Sequence, residues 1–416
     1  MLKRPHSAGF FNAIALIAIA GCTTVQTPVE SEPIQQADQS TEADRTTAPA
    51  PAVTPMEFAE LPGWAGADLG PSIEAFRRSC VRIMDRALDT PISERAPYAG
   101  TASDWRPVCE AAEVASDSES ARLVFEAMLA PVEIQSGDGG SRFTGYFEPM
   151  IEARRTPEFP FTQPIPGLPD DLVQVDRSVL GGAPGRKVAA QRLSNGSLRA
   201  YPPRADIALR HDNALGYAHP ADVFFLQIQG SGRLRFKDGT SLRAAYAAHN
   251  SQPFGSVANY LLDTGKITRG EASMQGIRGW MDRVPRADAQ AAMNQNPRFV
   301  FFRPLPIGDP TLGPEGAALV PLTPLGSMAV DPAYHPYGVP YFVQTTSPGL
   351  GGDWSGVLVS QDTGGAIKGM VRGDIYFGTG RQAGDAAGTQ NAPGWMWALL
   401  PRAVAKRVSA SRDAAS

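Results

Sequence analysis

Histidine and cysteine are scarce in this chain, five and three among 416 residues. The histidines (His6, His211, His219, His249 and His335) are scattered and lack the close spacing of a metal site, so neither a metal nor a cofactor is expected. A basic run or stripe is also missing, and the formal net charge is −4, which argues against a nucleic-acid partner. There is no glycine-rich phosphate loop ending in Lys-Ser or Lys-Thr, no Gly-x-Ser-x-Gly elbow and no His-Glu-x-x-His. Gly230-Ser231-Gly232 has the look of half an elbow, but no nearby pattern supplies its base. Long apolar runs are absent too: Phe10–Ala20 spans 11 residues, too few to cross a bilayer as a helix.

What is present is unevenly distributed. Lys3 and Arg4 precede Phe10–Ala20, the order of an export signal. The signal ends in Ile19-Ala20-Gly21-Cys22, which is similar to a bacterial lipobox, where the cysteine becomes acylated and N-terminal after cleavage. An ordinary cleavable signal with an incidental cysteine is the plainer alternative. Residues 1–22 are thus expected to be a lipoprotein signal peptide with Cys22 as the lipidation site. Thr23 follows, not aspartate, which points to an outer-membrane lipoprotein facing the periplasm, anchored through lipid without a spanning helix. Residues 23–55 are rich in Thr, Pro, Ala, Gln and Glu and predict a flexible tether.

The rest reads as a globular protein of two domains, or one with a large insertion. Cys80 and Cys109 remain as an even pair in an oxidising compartment, either a disulfide or two buried thiols. Helical spacing runs from Ser72, a candidate cap, through Met84, and again over Asp104–Ala112 and Ser118–Leu129. After Gly137 the pattern turns to strands, with hairpin turns at Asn195-Gly196 and Asp238-Gly239. Asp222–Gly232 alternates in its second half and predicts a strand entering a Gly-Ser-Gly turn. Helices are expected over Ser256–Leu262 and Ser273–Met281 before Asn296–Phe302 returns to strand. With 42 glycines and 37 prolines, many short strands are favoured over a helical bundle.

Chemistry concentrates near the C-terminus. Gly356–Ser360 predicts a buried strand, followed by Asp362-Thr363-Gly364-Gly365-Ala366-Ile367-Lys368-Gly369 and then Arg372-Gly373-Asp374. Glycines break every regular element here, so Asp362 and Asp374 flank a tight turn containing a lysine. Carboxylates near a core need partners, solvent or a task; capping of loop N–H groups is the plain reading of either one, and an active site is the reading of the pair. Asp-Thr-Gly occurs twice, at Asp263 and Asp362, as in an aspartic-type hydrolase. Asp263, however, follows an amphipathic run and reads as a helix end with Gly265 beyond it, so the two copies do not match.

The motifs Phe143–Pro149 (FTGYFEP), Gln227–Gly232 (QIQGSG), Ser273–Trp280 (SMQGIRGW) and Asn294–Phe302 (NQNPRFVFF) occur in that order. They continue through Met328–Pro332, His335–Gly338, Asp362–Gly369 and Asp374–Gly378. Together they resemble the membrane-bound lytic murein transglycosylase A family with its C-terminal three-aspartate (3D) domain.

That resemblance implies a mainly β fold with N-terminal helices. A double-psi β-barrel domain (56–148 and 319–401) would carry an inserted second β-barrel domain (149–318), with a glycan cleft between them. Residues 402–416 are left as a flexible tail. The implied reaction is non-hydrolytic cleavage of the β-1,4 bond between N-acetylmuramic acid and N-acetylglucosamine, leaving a 1,6-anhydromuramoyl end. Asp374 matches the acid/base, with Asp362 and Asp331 supporting it. Thr144, Gly145, Tyr146, Gln229, Gly230, Ser231 and Lys368 are candidate glycan contacts; each could equally be a turn or core-edge residue. Implied partners are peptidoglycan glycan strands and the outer membrane, with a cell-wall synthesis complex as a further candidate. A non-catalytic wall-binding lipoprotein is the alternative, against which stands the presence of all three aspartates.

Overall fold

The computed structural model of the protein describes residues 56–135 and 140–413. The signal segment, Cys22 and the tether lie outside the described residues.

Three helices open the described chain: Gly70–Met84, Ala102–Ala112 and Ser118–Met128. The first starts ahead of its expected cap, with a proline in its first turn. Ser72 is buried inside that helix instead, its hydroxyl donating to Val357 O at 2.6 Å. Apolar positions three and four apart place Ile73, Phe76, Cys80 and Ile83 on the buried face. Cys80 is bonded to Cys109, tying the first helix to the second. Phe76 sits between Trp105 and Phe125, at 6.0 and 6.2 Å between ring centroids, and burying each such side chain contributes roughly 1.5–3 kcal/mol.

This helical face packs on an eight-stranded sheet drawn from two distant stretches of sequence. Its order is Leu129–Glu133, Gly394–Pro401, Pro340–Ser347, Gly352–Asp362, Ser327–Val330, Val371–Thr379, Ser141–Glu148 and Asn391–Ala392. The sheet is rolled. Asn391–Ala392 pairs with Ser141–Glu148, and the chain continues at once into Gly394–Pro401, which pairs with Pro340–Ser347. Two contacts are parallel, Ser327–Val330 on Gly352–Asp362 and Val371–Thr379 on Ser141–Glu148. Parallel strands need cover on both faces, which the unbroken apolar run Val357-Leu358-Val359 supplies.

Between the two halves of this sheet the chain builds a second one, ordered Val300–Leu305, Ser241–His249, Gly232–Phe236 and Met150–Ala153. Asp238-Gly239 turns one of its hairpins, with Gly239 at φ +83°. Asn195-Gly196 turns the hairpin of a small sheet, Leu172–Asp176, Lys187–Arg192 and Leu198–Ala200. The helices Val257–Asp263, Met274–Arg283 and Arg286–Met293 share a separate apolar cluster around Leu261 and Trp280. The fold is therefore mainly β with N-terminal helices, and the stretch 150–305 forms a lobe inserted into the first sheet. The returning chain reaches the first lobe early: Gly313 N donates to Leu322 O, and Ala318 N to Gln361 O.

Two expectations are corrected. Asp222–Gly232 is not a strand: Pro220–Gln229 is a helix, started by His219 and Pro220 and ended by Gly230 at φ +83°. The alternation of Leu226 and Ile228 with glutamines loses to these two end signals. The tail is not irregular either, because Arg402–Asp413 forms a helix. Val404 and Ala405 are buried against the core, and Arg407 pairs with Asp104 at 2.7 Å.

Candidate active site

Register places three of the candidate residues, Asp362, Asp374 and Thr144, in one row. Asp374 lies opposite Ala329 on one side and Thr144 on the other, while Ala329 also pairs with Asp362. Thr144 in turn pairs with Asn391. Five strands thus bring Asp362, Ala329, Asp374, Thr144 and Asn391 side by side. A shift between Met328 and Ala329 is what aligns Asp362 with the row, since two residues of its strand face one step of the neighbour.

The hydrogen bonds along this row divide the two aspartates. Thr144 Oγ1 donates to Asp374 Oδ1 at 2.5 Å, and Arg372 Nη2 donates to Thr144 Oγ1 at 2.8 Å. Asp362 has both oxygens engaged: Tyr146 OH donates to Oδ2 at 3.0 Å and Ala317 N to Oδ1 at 3.1 Å. Burial pushes the Asp362 carboxyl up to about 6, against the pull of its backbone and tyrosine donors, with a further small push from Asp374. Burial also raises Asp374, opposed by the Arg372 charge and the Thr144 hydroxyl. Tyr146 is held well above the usual phenol range by burial first and then by the two aspartates, so it remains a proton donor. Its ring lies 5.2 Å from that of Tyr376.

Asp331 stands outside the row and is 3 % exposed. Its Oδ2 accepts from Gly369 N at 3.0 Å and its Oδ1 from Ala333 N at 3.2 Å, with Lys368 Nζ 3.5 Å away. Four residues on, His335 Nε2 donates to Met370 O at 2.6 Å, and its Nδ1 lies 3.3 Å from the Tyr98 hydroxyl. Burial brings His335 down to about 4, so it is the neutral ring that makes this bond. Segment 331–335 thus grips the glycine loop at Gly369 and Met370.

The other expected residues scatter more. Gln229 sits at the seam between lobes, its Oε1 3.5 Å from Phe147 N, at the end of a helix. Gly230 and Ser231 form the turn after it, and Ser231 is buried. Gly145 does not join the row: a Cβ there would lie 2.6 Å from the Phe377 ring and 2.9 Å from Ala387, so it permits close packing on the opposite face. Lys368 is exposed beside Asp331.

Sequence reasoning missed Glu148, although the residue stands in a quoted motif. Its fully buried carboxylate accepts from Arg233 at 2.8 Å, Arg243 at 2.6 Å and Thr379 at 2.9 Å, joining the two sheets. His335 was likewise visible only as part of His335–Gly338. Among the described residues no cluster of His, Cys, Asp and Glu has the makings of a metal site.

Two family descriptions match this chain: the MltA specific insert domain over residues 142–303 and the 3D domain over 326–400. The membrane-bound lytic murein transglycosylase A of Vibrio cholerae serotype O1 is 31% identical over 312 residues, covering 72% of this chain and 77% of the relative. That of Escherichia coli K12 is 33% identical over 268 residues, covering 63% of this chain, and the match spans 66% of the relative's length, just under two thirds. Among solved structures, a membrane-bound lytic murein transglycosylase from Agrobacterium tumefaciens superposes with a TM-score of 0.73 at 29% identity, covering 85% of this chain and 99% of that one. Escherichia coli MltA with bound chitohexaose gives 0.59 at 26% identity, covering 89% and 99%. The chain belongs to the membrane-bound lytic murein transglycosylase A family.

Proposed function

We propose that this protein cleaves the β-1,4 bond between N-acetylmuramic acid and N-acetylglucosamine in peptidoglycan without water, with Asp374 as the single acid/base. The observation that carries the assignment is the unequal use of the two carboxyls in the row. Asp362 has a donor on each oxygen, whereas Thr144 occupies only Oδ1 of Asp374. A residue that must give a proton and take one back needs an oxygen not already committed.

The chemistry then needs one carboxyl, where ordinary glycosidases use two. Asp374, whose carboxyl burial raises, donates its proton to the glycosidic oxygen as the C1–O bond breaks. The C6 hydroxyl of the same muramoyl residue attacks C1, and its proton passes to Asp374, restoring the acid. Asp362, with Tyr146, holds negative charge near the developing oxocarbenium ion. Asp331 positions the glycine loop. Glycan strands are the substrate we assign, in keeping with the chitohexaose bound to the Escherichia coli structure.

For localisation we propose the periplasmic face of the outer membrane, through lipid on Cys22. The relatives are named membrane-bound, and no helix among the described residues is long and apolar enough to cross a membrane.

The products test this reading. Incubation with sacculi should release muropeptides bearing 1,6-anhydromuramoyl ends, each lighter by one water than a hydrolytic product and without a reducing sugar, as read by mass spectrometry. Asp374→Asn should lower the rate by about a hundred- to ten-thousandfold while chitohexaose binding persists. A digest dominated by reducing ends would mean a hydrolase, with a second carboxyl activating water.

A further inference from the structure

Arg372 is a cation beside the acid that the reaction above does not use. It stands two positions before Asp374 in the strand Val371–Thr379, so the two side chains leave the same face. Arg372 is 9 % exposed, and backbone acceptors fix it: Nη1 donates to Arg142 O at 3.2 Å and to Gly373 O. Its Nη2 donates to Thr144 Oγ1 at 2.8 Å, and Thr144 Oγ1 donates to Asp374 Oδ1 at 2.5 Å. Arg372 itself reaches Asp374 by charge and not by a bond. A threonine hydroxyl thus stands between the cation and the acid, where at Glu148 the arginines bind the carboxylate directly.

What each group can do fixes the direction of the hydrogens along this chain. An arginine carries N–H donors and no acceptor, so the Thr144 oxygen must accept from Arg372. The threonine hydroxyl has one hydrogen, and Asp374 Oδ1 is the acceptor that bonds it. Oδ1 is therefore an acceptor, and the proton of the neutral carboxyl resides on Oδ2. Asp374 is only half-buried, and among the described residues nothing else bonds its carboxyl. In the reverse arrangement the proton would sit on Oδ1 and donate to Thr144. That would fill both lone pairs of the hydroxyl oxygen and leave its hydrogen without its acceptor, at a cost in free energy. Without Arg372 the hydroxyl is free to turn, and the two arrangements become equivalent.

Resting on the transglycosylase reading, we infer that Arg372 is a positioning residue that, through Thr144, holds the transferable proton on Asp374 Oδ2. That proton passes to the glycosidic oxygen as the C1–O bond breaks, and the proton of the C6 hydroxyl returns to the same oxygen. Thr144 accordingly orients the acid and does not grip the glycan through its hydroxyl. Burial raises the Asp374 carboxyl, and the Arg372 charge opposes it. The other ionisable groups bearing on Asp374 are Asp362, from the strand Gly352–Asp362, and Tyr146, from Ser141–Glu148. Both stay in place in every variant below.

The test compares kcat, KM and the pH profile of glycan-strand cleavage. Thr144→Val leaves the backbone bonds of Arg372 in place and should lower kcat by about three- to tenfold, with KM near the parent's. Thr144→Ser keeps a hydroxyl and should recover most of that loss. Arg372→Met should lower kcat by a similar factor and move the basic limb of the profile to higher pH, because the acid form is the active one and its opposing charge is gone. In the Thr144→Val background, Arg372→Met should cost little further kcat, since the relay is already cut. Additive losses would show that Arg372 acts without Thr144 and overturn the inference. A raised KM with unchanged kcat in Thr144→Val, the mark of a glycan contact, would overturn it too. So would a loss of kcat in Arg372→Met with the limb unmoved, the mark of a structural role. Should Arg372→Met fail to fold, the threonine variants decide: serine as impaired as valine sinks the inference. The chemistry is judged apart, since parent products with reducing ends would sink the transglycosylase reading even if the kcat pattern held.

Discussion

Two buried carboxyl sites in this molecule stand a strand's length apart and are built on opposite principles. Glu148, at the end of the strand Ser141–Glu148, is fully buried between the guanidinium groups of Arg233 and Arg243. Asp362 and Asp374, which the same strand's Tyr146 and Thr144 reach, receive mostly neutral donors: a hydroxyl, a phenol and a backbone N–H. The first arrangement matches charge with charge and fastens two lobes. The second leaves burial uncompensated, and both aspartates rise in consequence. Burial alone does not make a catalytic acid; what the carboxyl is given as partners decides.

The sharpest way to break this contrast is to remove the charge at the seam. Glu148→Gln keeps the shape but leaves two arginines buried beside a neutral amide. Removing one partner of a buried ion pair costs about 3–5 kcal/mol, so the denaturant midpoint should fall accordingly. A change in stability too small to measure would mean that the seam is wetter than its geometry implies.

Asp362→Asn should do the reverse, and its sign depends on pH. The folded protein binds the Asp362 proton more tightly than the unfolded chain does, since the carboxyl lies at about 6 in the fold against an ordinary 3.8. The stability that goes with the bound proton is therefore fully present below the unfolded value and is lost as pH rises through about 6. Above that, the ionised group is a net cost of the order of 1–3 kcal/mol, which the amide removes. The variant should match the parent near pH 3.5 and exceed it at pH 7.5, as read from thermal melts across the range. A variant less stable than the parent at pH 7.5 would show that the Tyr146 and Ala317 bonds outweigh desolvation.

The two aspartates and the turns are legible in the sequence, while the row and the seam are not, and the difference has a physical cause. Asp362 and Asp374 stand out locally because glycines break the chain around them, and the hairpins at Asn195-Gly196 and Asp238-Gly239 carry their own turn chemistry. The row does not, because it depends on register between strands whose residues are 230 and 216 positions apart for the Thr144–Asp374 and Tyr146–Asp362 bonds. The seam is hidden for the same reason: Glu148 meets arginines 85 and 95 residues away. The helix Pro220–Gln229 reads as a strand from sequence because a mostly apolar ten-residue run satisfies either period, and only its ends decide. The helix Arg402–Asp413 has too few apolar residues to announce itself, yet Val404 and Ala405 suffice to seat it on the core.

The smallest predicted effect probes the row itself. Tyr146 donates to Asp362, and that bond favours the ionised carboxylate, as do the N–H groups of Thr363 and Ala317. Tyr146→Phe removes one of these downward pulls and leaves burial and the Asp374 charge pushing up. Asp362 should therefore hold its proton to higher pH than in the parent, by about one pH unit or less, because a single hydrogen bond contributes about 0.5–1.5 kcal/mol net, one pH unit corresponds to about 1.4 kcal/mol, and the backbone donors persist. With Asp362 protonated over a wider range, the negative charge it holds near the oxocarbenium ion is lost up to a higher pH, so the acid limb of the rate profile should move up with it. The measurement is carbon-detected titration of the aspartate carboxyls in both proteins, alongside the pH dependence of anhydromuropeptide release. An Asp362 that moved downward, or a profile shifted with no change at Asp362, would mean that Tyr146 acts on the substrate and not through the row.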